Sequence, residues 1–368
     1  MSTPAGEAGS LPRPRVLVIG ATGYIGSRLV PRLLADGAEV SVLARTPSRL
    51  DDVPWRDAVT VHEGGLGDPQ AMADALEGVD VACHLVHAMG HSADFETEER
   101  QTTEAFVRAV EAAGVGRIVH LSGLHPEDGT DLSTHLRSRV EVGRIMLAST
   151  VPALVIQAGV VIGSGSASFE MIRHLTTRLP GMVTPKWVSN RIQPIAVRDA
   201  VHYLAAATTC GLDDLAPDGR TIDVGGPDVL TYGQMMQIYA EEAGLHRRLM
   251  VPVPVLTPKL SSLWMGLVTP LETSLAKPLV ESLRCEAIVL LDDADEVLGA
   301  PPGGRTSYRE ALREALRVPH GPERPALWAG ADPLDDPARL LPSDADWAGV
   351  RPPTVWRART GSRTPEAR

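Results

Sequence analysis

The chain has 368 residues, 43% of them hydrophobic, and carries a formal net charge of -11. That is apolar material enough for one large domain or for a nucleotide domain with a smaller lobe, and the acidic balance argues against direct binding to nucleic acid, which depends on basic patches. Cys83, Cys210 and Cys285 lie far apart with no C-x-x-C spacing, which suggests neither a disulfide framework nor a zinc site and fits a reducing cytoplasm.

In chain order, the first segment, residues 1–12, lacks the basic start and apolar core of a signal peptide and reads as a flexible leader. The apolar run Val16-Leu17-Val18-Ile19 then reads as a strand, followed at once by Gly20-Ala21-Thr22-Gly23-Tyr24-Ile25-Gly26 and by a helical pattern from Ser27 to Leu34. A glycine at every third position lets the chain turn at a strand end, approach a pyrophosphate closely and pack helix on sheet. The helix start then offers unpaired N–H groups and a positive dipole end. Gly20, Thr22, Gly23, Tyr24, Ile25 and Gly26 are therefore the candidate dinucleotide contacts.

The next strand, Glu39 to Leu43, ends in Ala44-Arg45-Thr46-Pro47-Ser48-Arg49, with no acid before Asp51. A chain that selects NAD usually offers a carboxylate here to the ribose 2'-hydroxyl. A guanidinium instead grips a 2'-phosphate, so Arg45, with Arg49 one turn onward, favours NADP (NADPH). Further strands are expected at Val59 to His62, Val79 to Val86, Arg117 to Leu121 and Ala153 to Gln157. Helices are expected between them at Pro69 to Leu76, Phe95 to Ala113 and Ser133 to Ala148. Asp68 is the expected N-cap before Pro69, and Gly114 a C-terminal stop. This alternation predicts an α/β fold, a Rossmann doubly wound parallel sheet over residues 13–165.

After that the alternation weakens, and residues 166–318 read as a smaller C-terminal substrate lobe partly interleaved with the sheet. Its expected elements are a helix from Ser166 to Leu179 stopped by Pro180-Gly181, a helix capped by Asp199, a strand Thr221 to Val224, and helices from Thr231 and from Ser307 to Leu316. The apolar stretch Met250 to Leu283 is broken by five prolines and carries Lys259, Glu272 and Lys277, so it reads as lid or core helices and no transmembrane segment is expected. From Pro319 the composition turns to Pro, Arg, Asp and Ala, and residues 319–368 read as a disordered tail in which Trp328, Trp347 and Trp356 stand isolated.

These residues resemble the atypical branch of the short-chain dehydrogenase/reductase superfamily, including its YbjT-like and nitrogen-metabolite-regulator-like members. The resemblance runs from about Arg13 to Val318. It is carried by the glycine loop, by Leu43-Ala44-Arg45, by Gly78-Val79-Asp80-Val81 leading to Leu85-Val86-His87, and by Arg117-Ile118-Val119-His120-Leu121-Ser122. Later blocks add to it: Gly163 to Glu170, Arg191 to Val197 and Asp223 to Asp228. It implies that Leu85, Val86 and His87, with Met89, border the nicotinamide. The family commonly places an acid after the equivalent of Gly64 to meet adenine. This chain has Gly65, so that contact falls to Leu66 or the backbone.

The resemblance also implies a catalytic Ser that polarises a carbonyl, which Ser122 matches, and a Tyr-x-x-x-Lys pair, which it does not. The two positions hold His135 and Arg139, in His135-Leu136-Arg137-Ser138-Arg139. At i and i+4 they share a helix face, and an imidazole can still accept or donate one proton. The implied activity is NADPH-dependent reduction of a small apolar carbonyl, enone or quinone as substrate. The missing pair also fits a non-catalytic NADP-binding sensor, which would act through a protein partner, or an accessory subunit similar to that of respiratory complex I. His84, His87 and His91, on a strand and its following loop, lack the spacing of a zinc site, and no metal is expected.

Overall fold

The computed structural model describes residues 13–51, 53–86, 95–126, 132–179, 181–210, 219–252, 283 and 285–316. The leader, His87, Met89, His91, Pro180, the tail with its three tryptophans and nearly all of the stretch from Met250 to Leu283 lie outside the described residues.

Seven strands form one parallel sheet: β1 (Arg15–Ile19), β2 (Glu39–Ala44), β3 (Thr60–Glu63), β4 (Val81–His84), β5 (Arg117–Gly123), β6 (Ala153–Ala158) and β11 (Arg220–Val224). Their spatial order is β11-β6-β5-β4-β1-β2-β3, so the winding reverses between β1 and β4, where ligands bind in open α/β sheets. The alternating strand residues divide cleanly between two faces. Val16, Val18, Val81, Cys83, Val119 and Leu154 pack against α1 (Gly26–Ala35) and α6 (Val197–Thr209). Leu17, Ile19, Ala82, Ile118 and Ala153 pack against α2 (Pro69–Leu76), α3 (Phe95–Ala113) and α4 (Thr134–Leu147). With helices on both faces, the central strands can be apolar throughout, as a buried parallel sheet requires.

Several local expectations are met in detail. The Asp68 carboxylate accepts from the N–H groups of Gln70 and Ala71, with Pro69 opening α2. Gly114 ends α3 with φ 69°, and Ser133 caps α4 by accepting from Leu136 N. Pro31 inside α1 removes the N–H that would bond the Ser27 carbonyl, and the buried Trp55 indole supplies the missing donor at 3.2 Å.

Other expectations are corrected. The strand expected from Val79 to Val86 is β4, Val81–His84; its pairing is continued at one end by Asp80 N, bonded to Arg15 O at 2.9 Å, and at the other by Leu85 N, bonded to Ile19 O at 2.9 Å. Asp199 does not cap α6, which opens at Val197 without a side-chain cap. Its buried carboxylate instead accepts from Thr306 N at 2.7 Å and Thr306 Oγ1 at 3.0 Å. A buried acid must find donors wherever the fold offers them. The strand expected at Thr221 to Val224 is β11, and it forms the sheet's edge beside β6.

The second core lies over the carboxyl end of β6. It joins Phe169, Met171 and Leu175 of α5 (Ala167–Arg178) to Tyr232, Met235 and Tyr239 of α7 (Tyr232–Glu242) and Leu312 of the last described helix (Tyr308–Leu316). Thr231 and Gln234 form a reciprocal capping box at the start of α7.

Candidate active site

At the β1 end the site is built from backbone. Gly20 turns with φ 97°, and a Cβ there would sit 3.1 Å from the Leu85 carbonyl carbon. A Cβ on Gly26 would lie 2.2 Å from Gly20 O. Only glycine lets α1 begin this close to the strand end, and α1 has no acid in its first turn. The cradle fits a dinucleotide pyrophosphate, with the positive helix end facing it. Thr22, Gly23 and Ile25 line the same turn and are partly exposed. Tyr24 is drawn elsewhere: its hydroxyl donates to Ser164 O at 3.1 Å, and the buried Arg28 guanidinium lies 3.8 Å from its ring centre. It ties the glycine loop to the loop that leads into α5.

At the end of β2, Arg45 is exposed and makes no ion pair among the described residues. A Cβ on Gly65 would lie 3.2 Å from Arg45 Cγ. The residue type that replaces the family's acid is therefore the one that gives the arginine stem room. Leu66 packs partly buried against the α2 and α3 core, as does Val86 beyond β4.

At the β4–β5 end the site is built from side chains. Ser122 is in register with Gln157 of β6, and Gln157 with Asp223 of β11, so three polar residues cross the sheet in one row. Gln157 Nε2 lies 3.0 Å from His125 Nε2, while His125 Nδ1 lies 3.0 Å from Pro126 O. The pair is satisfied with the proton on Nδ1 and the amide donating to Nε2. Asp223 accepts from Leu290 N at 3.0 Å. Burial raises its pKa, opposed by the N–H groups of Leu290 and Leu291 and by His125. The side chains of Leu290 and Leu291 stay 51% and 59% exposed beside this row.

On α4, His135 stacks on Phe95 of α3 with ring centres 4.6 Å apart. One turn on, the Arg139 guanidinium reaches the residue after Ser122, where a Cβ on Gly123 would lie 3.3 Å from Nη1. Burial lowers the pKa of Arg139, and Glu99 of α3 opposes that. Ser138 Oγ donates to Glu99 Oε2. Beneath them His84 and His120 are fully buried, with Nδ1 atoms 3.2 Å apart and His120 Nδ1 3.0 Å from His84 O. Burial lowers both pKa values, His84 well below its usual range with His120 adding to the effect. His120 falls to about 4, with the bond to His84 O opposing and Arg139 adding.

The structure thus brings Ser122 and Arg139 to one strand end, sets His135 a turn away against Phe95, and gathers Gly20 and Leu85 at the β1–β4 crevice. Sequence reading missed His125, Gln157, Asp223, Glu99 and Ser138. The only signal for Gln157 was a polar residue near the end of an otherwise apolar strand, and Asp223 lay in a strand that already held Arg220 and Thr221. Glu99 gave none.

A glycine-turned parallel sheet with its open crevice between β1 and β4 defines a dinucleotide-binding Rossmann protein. The family model for NAD(P)H-binding proteins matches residues 20–151. Pinoresinol reductase 1 of Arabidopsis thaliana is 34% identical over 255 residues, 65% of this chain and 77% of that protein. dTDP-6-deoxy-L-talose 4-dehydrogenase (NAD(P)(+)) of Kitasatospora kifunensis is 28% identical over 268 residues, 65% of this chain and 83% of its own. Among solved structures, the Citrobacter sp. triphenylmethane reductase complexed with NADP(H) superposes with a TM-score of 0.64 at 17% identity, over 82% of this chain and all of the other. The chain belongs to the atypical short-chain dehydrogenases/reductases, a family of NAD(P)-binding oxidoreductases. Among the described residues no helix is long and apolar enough to cross a membrane.

Proposed function

We propose that the chain is a cytoplasmic NADPH-dependent reductase of a small, largely apolar carbonyl, enone or quinone. The observation that carries this reading is the approach of Arg139 to Gly123, the residue after Ser122, at the end of β5, one strand from the crevice at Leu85. The choice of NADPH rests on Arg45, exposed and laid across Gly65. Gly20, Gly23 and Gly26 would hold the pyrophosphate with Thr22 and Ile25, Arg45 the 2'-phosphate, Leu66 the adenine edge, and Leu85, Val86 and His87 the nicotinamide. When bound, NADPH supplies the hydride. Ser122 Oγ donates a hydrogen bond to the substrate oxygen, and Arg139 holds the ribose or the substrate by its planar fork. His135, at the mouth of α4, relays the proton. The exposed Leu290 and Leu291 beside the row from Ser122 to Asp223 suit an apolar substrate body.

The test is NADPH oxidation with a panel of quinones, aldehydes and enones. A His135→Ala enzyme as fast as the wild type removes His135 from the mechanism. The stacking of His135 on Phe95, in place of a Tyr, favours a second reading, an NADP sensor that acts through a protein partner. Tight NADPH binding with no turnover by any acceptor decides for it.

A further inference from the structure

We propose that Glu99 of α3 is a positioning residue for the coenzyme: through Ser138 and Arg139 it fixes the guanidinium at the end of β5, against the nicotinamide ribose. The inference rests on the reading of this site as an NADPH site. Glu99 is only 8% exposed and Ser138 3%, and a carboxylate so far from water needs both a hydrogen-bond donor and a cation. One donor is the Ser138 hydroxyl. The cation is the next residue on α4, Arg139, whose protonated form Glu99 favours against burial.

Two other described groups beside this guanidinium are neutral. One is the backbone at Gly123, close enough that any side chain there would press on Nη1. The other is the imidazole of His120, backed by His84, which burial holds uncharged at neutral pH. Arg117, the other cation near this part of the sheet, does not compete. It faces the opposite side, where it donates to Ala207 O and Cys210 O at the end of α6. Among the described residues Arg139 therefore has one neighbouring anion, Glu99, and a planar group held from one side keeps a fixed plane. A lysine in this role needs only to place a point charge, whereas an arginine must place a fork, so its orientation has to be set by a partner.

The experiment titrates NADPH by fluorescence into the full chain and its variants, with thermal unfolding as the folding control. Glu99→Gln keeps the shape and the bond to Ser138 but removes the charge. It is expected to weaken NADPH binding about tenfold, the size of a direct coupling between neighbours, and Glu99→Asp to recover part of the loss. In an Arg139→Gln background the same change is expected to have no effect. Should Glu99→Gln fail to fold, Ser138→Ala keeps both charges and loosens the carboxylate; it is expected to weaken binding about threefold, and only while Arg139 is present. Equal losses with and without Arg139, or no loss at all, overturn the proposal. If Arg139→Gln binds NADPH as tightly as a wild type that turns over, only this inference falls; a folded wild type that binds no NADPH overturns the functional reading as well.

Discussion

The two ends of the crevice do related work with different materials. At the β1–β2 end, glycines bring backbone against backbone, and a single exposed arginine adds the charge. At the β4–β5 end, side chains from two strands and two helices form a buried network, with Glu99, Arg139, His120 and His84 each depending on the next. At the first end, Gly20 and Gly26 leave no room for a side chain. The second has room for variation in shape, but its protonation states are set by burial. Recognition built from backbone is limited by sterics, and recognition built from buried side chains by electrostatics.

The sharpest way to break this comparison is at Gly26. Gly26→Val puts carbon where Gly20 O already lies, 2.2 Å from the nearest Cβ position. It is expected to destabilise the fold by about 3 kcal/mol or more and to abolish NADPH binding, read by urea unfolding and by titration. A variant that still binds would mean that the loop is not close-packed.

The pH response comes next and belongs to the other end. His120 is neutral in the folded state down to about 4, whereas the unfolded chain takes up its proton near 6.5. Between those values the unfolded state binds more protons, so stability is full above about 6.5 and falls as the pH drops towards 4. The loss from this residue alone approaches about 3 kcal/mol. Urea midpoints across that window measure it, and His120→Gln is expected to flatten the slope. A slope unchanged by that variant would assign the effect to other groups.

Arg45→Gln is expected to weaken NADPH binding by about 2 kcal/mol while leaving NADH unchanged, since a charge-assisted phosphate contact is lost and nothing else. Gly65→Asp should act in the same direction by adding an acid beside the arginine stem. Equal losses for both coenzymes would remove Arg45 from the 2'-phosphate. The smallest effect is expected at the link between the halves: Tyr24→Phe deletes the bond to Ser164 O, about 1 kcal/mol of stability, with a modest rise in KM for the acceptor.

What could be read from the sequence followed the range of the interactions. The glycine loop, the Asp68 cap, the Gly114 stop and the start of α7 at Thr231 each need only neighbours within a few residues, and each is where the pattern put it. Asp199 looked like a cap because a cap is the local use of an aspartate. Its real partner, Thr306, is more than a hundred residues away. Glu99 is hidden for the same reason, as one acid among several on an amphipathic helix until α4 packs beside it.

The amino-acid sequence by itself determined the parallel sheet, the dinucleotide loop, the absence of an acid at Arg45 and the replacement of the Tyr/Lys pair, because periodicity, glycine spacing and residue identity act over short stretches of chain. Only the tertiary structure decided which buried charges face one another. It set Glu99 against Ser138, beside Arg139, held His120 and His84 neutral, and laid Ser122, Gln157 and Asp223 in one row, because desolvation and strand register exist only once distant segments have packed.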